Sequence, residues 1–367
     1  MPFRTLGSLV ESNRGGGTPS RAVEAYWGGS IPWASVGDLS NRALTVERTR
    51  GSITTEGLAN SSSSLVRAGD VIVATKISPG RMRIAGVDLA INQDLRGLRL
   101  RSEMDARFLT YFFATERIVG NGSIVKAITN PQLEAIKVPV PPLDVQRGIV
   151  KILDNFTELE AELEAELEAR RLQYTHLRRQ LLAMGERSDV RRAPMSDLAV
   201  FRRGTAITAK QTSPGTIPVV ANGPVSIYSH SVSNRSGGTL VIARSGAYAG
   251  FVSYWAEPIF LTDAFSVHPD ESVLAPKYLF YLLQSQQESL HSMKQGAGVP
   301  HVRVREVEAR VVAVPPLDEQ VRMVETLDKF DALVNDLSIG LPAELAARRK
   351  QYDYYRDKLL TFEEAPA

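Results

Sequence analysis

The segment Val140-Pro141-Pro142-Leu143-Asp144-Val145-Gln146 returns 174 residues later as Val314-Pro315-Pro316-Leu317-Asp318-Glu319-Gln320. At the same offset, Ile152-Leu153-Asp154-Asn155-Phe156 is matched by Thr326-Leu327-Asp328-Lys329-Phe330. Ala169-Arg170-Arg171-Leu172-Gln173-Tyr174 then returns as Ala347-Arg348-Arg349-Lys350-Gln351-Tyr352, with four more residues inserted in the second copy. Five fixed residues, each with a frequency of roughly 5%, seldom recur by chance in a chain of this length, so the sequence is a duplication and is read as one. Weaker echoes precede the motif: Gly69-Asp70-Val71-Ile72-Val73-Ala74 with Gly238-Thr239-Leu240-Val241-Ile242-Ala243, Arg107-Phe108-Leu109-Thr110-Tyr111 with Lys277-Tyr278-Leu279-Phe280-Tyr281, and Leu6-Gly7-Ser8-Leu9-Val10 with Met195-Ser196-Asp197-Leu198-Ala199. The order is globule, helix, globule, helix, with divergent globules and similar helices.

Past each Pro-Pro the pattern becomes heptad. Ile149, Leu153, Phe156, Glu160, Leu163, Leu167, Arg170, Tyr174, Leu177 and Leu181 follow alternating steps of four and three, the spacing of a coiled-coil seam. The prolines fit a first turn and nothing deeper in a helix. The glutamates between Glu158 and Glu168 fall mostly off the seam, on a solvated face. The second helix repeats the register at Met323, Leu327, Phe330, Val334, Leu337 and Leu341, takes an extra step of four to Leu345, and resumes at Arg348, Tyr352, Tyr355 and Leu359. Such an insertion is a stutter, and Gly340 and Pro342 beside it predict a kink or short break. Helices of this length span roughly 55 Å. If they pair with each other they run antiparallel, with a globule at each end of a rod and an approximate twofold axis across it. The fold class expected is α+β: two mixed α/β globules, residues 1–140 and 188–314, alternating with two antiparallel coiled-coil helices, residues 141–187 and 315–367.

Charge follows the same division. The formal net charge is only +2, yet residues 1–140 carry 17 Lys/Arg against 12 Asp/Glu and residues 188–314 carry 12 against 9. The helical segments are acidic, 7 against 9 in residues 141–187 and 7 against 11 in residues 315–367. Basic globules suit a polyanionic partner. In both globules the groups suited to DNA gather after the short apolar strands: Lys76, Arg81 and Arg83 in the first, Arg244, Ser245 and Tyr248 in the second. Lys126, Thr129 and Asn130 near Gly122-Ser123, and His301, Arg303 and Arg305 near Gly296–Gly298, extend the set. Arginine reads guanine edges and clamps phosphates, and glycine lets backbone N–H groups approach closely. Trp27 and Trp33 could stack on bases, but their setting is read as core.

Most catalytic chemistries have no residues here. There is no cysteine, which removes disulfides, thiolate metal sites and cysteine nucleophiles. The five histidines lack metal-motif spacing, so neither a metal nor a resident cofactor is expected. Each Pro-Pro is flanked by Val and Leu, unlike the Asn/Asp-Pro-Pro-aromatic loop of adenine methyltransferases. Neither a phosphate-binding Gly-x4-Gly-Lys-Ser/Thr loop nor a Gly-x-Ser-x-Gly elbow occurs. A nuclease carboxylate two residues before Lys76 is replaced by Ala74. No catalytic residue is assigned. No apolar run approaches the ~18 residues of a membrane span, and no secretory leader is visible, so a cytoplasmic protein is expected.

The globule–helix duplication with Pro-Pro-Leu-Asp-x-Gln at each junction resembles the DNA specificity (S) subunit of type I restriction–modification systems. Gly16-Gly17-Thr18-Pro19-Ser20, with Tyr26-Trp27-Gly28-Gly29 and Ile31-Pro32-Trp33, is similar to a common start of that family's target-recognition domains. The resemblance implies that each globule reads one half of a bipartite site in double-stranded DNA and that the helices act as a ruler between halves. It also implies recruitment of two methyltransferase (M) subunits, which carry S-adenosylmethionine and methylate adenine. Motor-nuclease (R) subunits can join for cleavage. Pro141, Pro142, Leu143, Asp144 and Gln146, with Pro315, Pro316, Leu317, Asp318 and Gln320, would lie near the M contacts. The stutter departs from a strictly symmetric rod. A specificity subunit of a stand-alone or type II-like methylation system, a coiled-coil scaffold that never touches DNA, and an enzyme hidden in the globules remain the rival readings.

Overall fold

The computed structural model describes residues 1–40, 43–120, 126–184, 187–294 and 300–364. In the first globule the strands β1 (Val10–Gly15), β2 (Val71–Ala74), β3 (Met82–Ala85) and β4 (Leu95–Leu100) form an antiparallel sheet in the order β1-β4-β2-β3, extended at its β3 edge by Thr45–Val46. All four residues of β2 are buried. Alternation then divides them: Val71 and Val73 join the core with α1 (Ala106–Thr115), while Ile72 and Ala74 face a second small sheet built on Trp27–Ala34 and Leu89–Ile91. A short helix α2 (Asn130–Glu134) follows, and the pairing of Phe3–Thr5 with Lys137–Pro139 closes the globule. The helix α3 runs unbroken from Leu143 to Leu182, 40 residues or roughly 60 Å.

The second globule repeats this plan. Strands β5 (Ala199–Arg203), β6 (Thr239–Ala243), β7 (Val252–Trp255) and β8 (Ala264–Pro269) take the order β5-β8-β6-β7. Helices α4 (Pro276–Ser285) and α5 (Val304–Glu308) stand where α1 and α2 stand, and Arg191–Pro194 pairs with Val311–Val314. Then come α6 (Leu317–Asn335) and α7 (Leu341–Leu360). The architecture is therefore the α+β duplication expected from the sequence.

By contacts the chain falls into two compact units, and each unit draws on both helical segments. Residues 1–162 and 346–367 form one, in which Ile149, Leu153 and Leu360 share the core of the globule, Phe156 meets the rings of Tyr352 and Tyr355 at 6.4 and 5.6 Å, and Glu160 binds Arg349 at 2.6 Å. Residues 163–345 form the other, in which Leu167 and Tyr174 pack into the core, Tyr174 donates to Asp331 at 3.2 Å, and Arg187 binds Glu319 at 2.6 Å. Within each unit the pairing is antiparallel. Each fully buried Leu in such a seam contributes roughly 1.5–3 kcal/mol.

None of the ten expected seam positions of α3 is exposed. The second segment differs. It breaks into two helices at Asp336–Gly340, where a Cβ on Gly340 would lie 2.4 Å from the Ala332 carbonyl oxygen and where Asp336 accepts from the Ser338 N–H. Pro342 then sits in the first turn of α7, where a missing N–H costs nothing. Leu337, expected in the seam, lies in this turn and is 81% exposed. Beyond the turn Leu345, Tyr352 and Leu359 keep the expected register, while Arg349 and Arg356 are half-buried beside them and Arg348 and Tyr355 are more exposed, Tyr355 still stacking on Phe156.

Candidate nucleic-acid interface

One backbone frame is built twice behind the central strands. In the first globule Ile128 N–H donates to Thr75 O at 2.9 Å and Ile77 N–H to Lys126 O at 2.9 Å. In the second, Val302 N–H donates to Arg244 O at 2.9 Å and Gly246 N–H to Pro300 O at 3.0 Å. Lys76 and Ser245 occupy the same place, bridged to Ala127 and His301, and each holds an aspartate from the neighbouring strand: Lys76 Nζ lies 3.0 Å from Asp94, and Ser245 Oγ donates to Asp263 at 2.5 Å. Gly16 and Gly204 are also equivalent. Gly17 N–H binds Ile91 O and Thr205 N–H binds Leu261 O, and a Cβ on either preceding glycine would collide with a backbone carbonyl, that of Ile91 at 2.2 Å or of Thr262 at 1.9 Å. Glycine is required there by close approach. The tryptophans belong to this strap and its core: Trp33, 9% exposed, meets Trp27 edge-on at 5.2 Å and donates to Gly17 O at 3.1 Å.

On this common frame the second globule carries a cationic cavity of about 490 Å³ lined by Arg203, Arg244, His301, Arg303 and Arg305. Four of these were expected from sequence. Arg203, at the end of β5, was not, because only sheet pairing brings it to the turn after β6. Arg244 shares Asp263 at 3.4 Å. Arg203, Arg303 and Arg305 have no carboxylate partner among the described residues. The Nδ1 of His301 is buried without a hydrogen-bond partner. With one carboxylate, Asp263, set against four arginines, the cavity is left with net positive charge, which favours an anion there. The other candidates of this globule stand apart. Ser245 is 5% exposed, accepting from Asn222 while donating to Asp263, and Tyr248 is exposed with its edge against Phe251.

At the frame positions of His301 and Arg303 the first globule has Ala127 and Thr129, and no such arginine cluster forms. The strand bridge pairs Lys76 with Ala127, next in the chain to Lys126, and both lysines are exposed. Arg81 reaches Ser40 Oγ at 3.1 Å. Arg83 is half-buried, with its pKa lowered by burial and by Arg81, and donates to the Met82 carbonyl at 2.7 Å. Asn130 belongs elsewhere: it accepts from Asn13 at 2.7 Å and donates to Glu134 at 3.0 Å in a polar network with Arg96. The segments Gly122-Ser123 and Gly296–Gly298 lie outside the described residues.

The junction motif serves the fold itself. Gln146 is 0% exposed; its Oε1 accepts from Asp105 N–H at 2.8 Å, and its Nε2 donates to Glu103 O at 2.9 Å and Pro141 O at 2.8 Å. Gln320, also 0% exposed, makes the same three bonds to Ala275 N–H, Val273 O and Pro315 O at 2.8, 2.9 and 2.8 Å. Both glutamines, and the buried Pro141 and Pro315, are thus consumed inside the chain rather than offered to a partner. Pro142, Asp144, Pro316, Leu317 and Asp318 remain exposed, and Leu143 is half-buried. Two turns further along each helix, Asp154 receives Arg107 at 2.6 Å and the Tyr111 hydroxyl at 2.8 Å, and Asp328 receives Lys277 and Tyr281, both at 2.6 Å. Sequence reasoning noted all of these residues and missed that the two echoes meet, although both recur in step across the copies.

The Type I restriction modification DNA specificity domain family matches residues 1–169 and 188–347. A Haemophilus influenzae protein named as a type I restriction enzyme specificity subunit is 30% identical over 288 residues, 71% of this chain and 74% of its own length. The EcoR124I/EcoR124II specificity subunit of Escherichia coli is 29% identical over 264 residues, 64% of this chain and 65% of its own length. In fold, the chain is similar to the crystal structure of a type I restriction–modification S subunit from M. genitalium, with a TM-score of 0.62, 17% identity and coverage of 99% of this chain and 96% of that one.

Proposed function

Because the chain belongs to the type I restriction–modification DNA specificity family, we propose that it is the non-catalytic DNA-reading subunit of a methyltransferase complex, each globule reading one half of a bipartite double-stranded target. The observation that carries this reading is the shared frame with unlike side chains. The same backbone bonds hold the turns after β2 and β6, yet one presents Thr75, Ala127 and Thr129 where the other presents Arg244, His301 and Arg303. A frame kept for position and varied in chemistry is what two different base sequences require. The arginine cavity would take a phosphate or a guanine edge, and Lys76, Lys126, Arg81 and Arg83 would contact the other half-site. The long helices would set the gap between halves. The exposed junction residues Pro142, Asp144, Pro316, Leu317 and Asp318 would face two M subunits, which bring S-adenosylmethionine; R subunits would join the same complex for cleavage. The protein would work in the cytoplasm, beside the DNA it reads.

Co-expression with the adenine methyltransferase from its own gene neighbourhood tests this. The two should purify together and methylate DNA at a split recognition sequence, while the chain alone turns over no S-adenosylmethionine. Failure to associate, or turnover by the purified chain alone, contradicts the reading.

A further inference from the structure

The turn after β2 holds Ile77 at φ +68°, the one non-glycine residue with positive φ among those described. Its frame equivalent is Gly246, at φ +78°. A β-branched residue in this region clashes with its own backbone and is strained. The strain is reinforced locally, because the Ser78 N–H returns to the Lys76 carbonyl at 2.7 Å across Ile77, a three-residue turn that is rare for the same reason. Strain of this kind is usually offset by burial. Here it is not: Ile77 is 62% exposed and lies outside every apolar core of its globule. The second copy shows that glycine fits the frame; a Cβ at Gly246 would meet only Asn222 Nδ2, at 3.8 Å.

From this strained, exposed and cation-flanked position we propose that Ile77 is a specificity-determining residue that contacts the C5-methyl of a thymine in the first half-site. This rests on the DNA-reading function proposed above. DNA is the occupant that the surroundings favour, because the turn is flanked by the exposed cations Lys76, Arg81 and Lys126. Backbone phosphates would meet the cations, and thymine offers the one apolar group on a base edge in the major groove. Strained residues that gain nothing from packing gather at functional positions.

The test uses the full chain in complex with its methyltransferase subunits, selecting from a duplex library randomised across the target. Wild type should yield a split consensus with thymine at one position of the first half-site. Ile77→Gly should keep the rest of that consensus and lose roughly four- to tenfold preference at that position, the scale of a few lost methyl contacts. Its thermal midpoint should hold or rise, since relief of strain offsets the extra freedom of glycine in the unfolded chain. A consensus unchanged by Ile77→Gly overturns the role of Ile77 alone, whether or not methyltransferase association falls. A midpoint lower by several degrees would show that Ile77 is kept for packing and overturns it as well. No consensus from wild type would overturn the DNA-reading function itself.

Discussion

Replacing Gln146 by methionine keeps the side-chain volume and removes the three hydrogen bonds that its amide makes at the junction of α3 with its globule. The wild-type amide satisfies Asp105 N–H, Glu103 O and Pro141 O at 2.8–2.9 Å, and its residue is fully buried. A typical bond of this kind contributes about 1 kcal/mol net, and each polar group left buried without a partner costs about 1–3 kcal/mol. Water can reach some of the freed groups, because Asp105 and Glu103 lie near the surface. The net loss should therefore be about 3 kcal/mol, with little cavity contribution. Gln320→Met should lose the same amount, because its three bonds match those of Gln146 in length. Urea unfolding followed by two probes reads both variants, and the double variant should be additive because the sites share no partners. A loss below about 0.5 kcal/mol for either would show that these bonds do not hold the junction, and clearly unequal losses would refute their equivalence.

Asp154→Asn and Asp328→Asn should each cost about 1 kcal/mol in the same assay, the small value reflecting aspartates that are about one-third exposed. Tyr111, Tyr174, Tyr278 and Tyr281 have phenols pushed above their ordinary value, chiefly by burial and, for all but Tyr278, by the nearby Asp154, Asp331 or Asp328. The fold thus favours the neutral phenol, so their contribution to stability is fully present below about pH 10 and lost as pH rises beyond it; denaturant midpoints across this range, with no alkaline fall, would contradict that. Arg303→Ala and Arg305→Ala should each lower the slope of log affinity against log salt by about 0.9 if each meets a phosphate, and relax one base position instead if it reads an edge; DNA-binding titrations at several salt concentrations distinguish the two.

The helices and the central strands were legible because their signals are local. Heptad spacing places the seam of α3, and short continuous apolar runs bounded by glycine place β2 and β6. What escaped depends on residues distant in the chain. Gln146, early in an amphipathic helix, reads as surface until Asp105 and Glu103 are folded over it. Arg203 joins Arg244 and His301 only through the pairing of β5 with β8 and of β8 with β6. The inward placement of Arg349 follows from its bond to Glu160, 189 residues away in the chain, and not from heptad spacing. The frame positions were hidden by the divergence that gives the globules their separate chemistry: Ile77 aligns with Gly246 only once their backbone bonds are seen.

The central claim is that the two globules read DNA independently on one frame. The most direct measurement exchanges residues 188–314 for the corresponding domain of another specificity subunit, expresses the chimera with its methyltransferase partner, and maps methylated adenines across a genome. One half of the split sequence should change and the other should stay as in wild type. Alteration of both halves, or of neither, would contradict it.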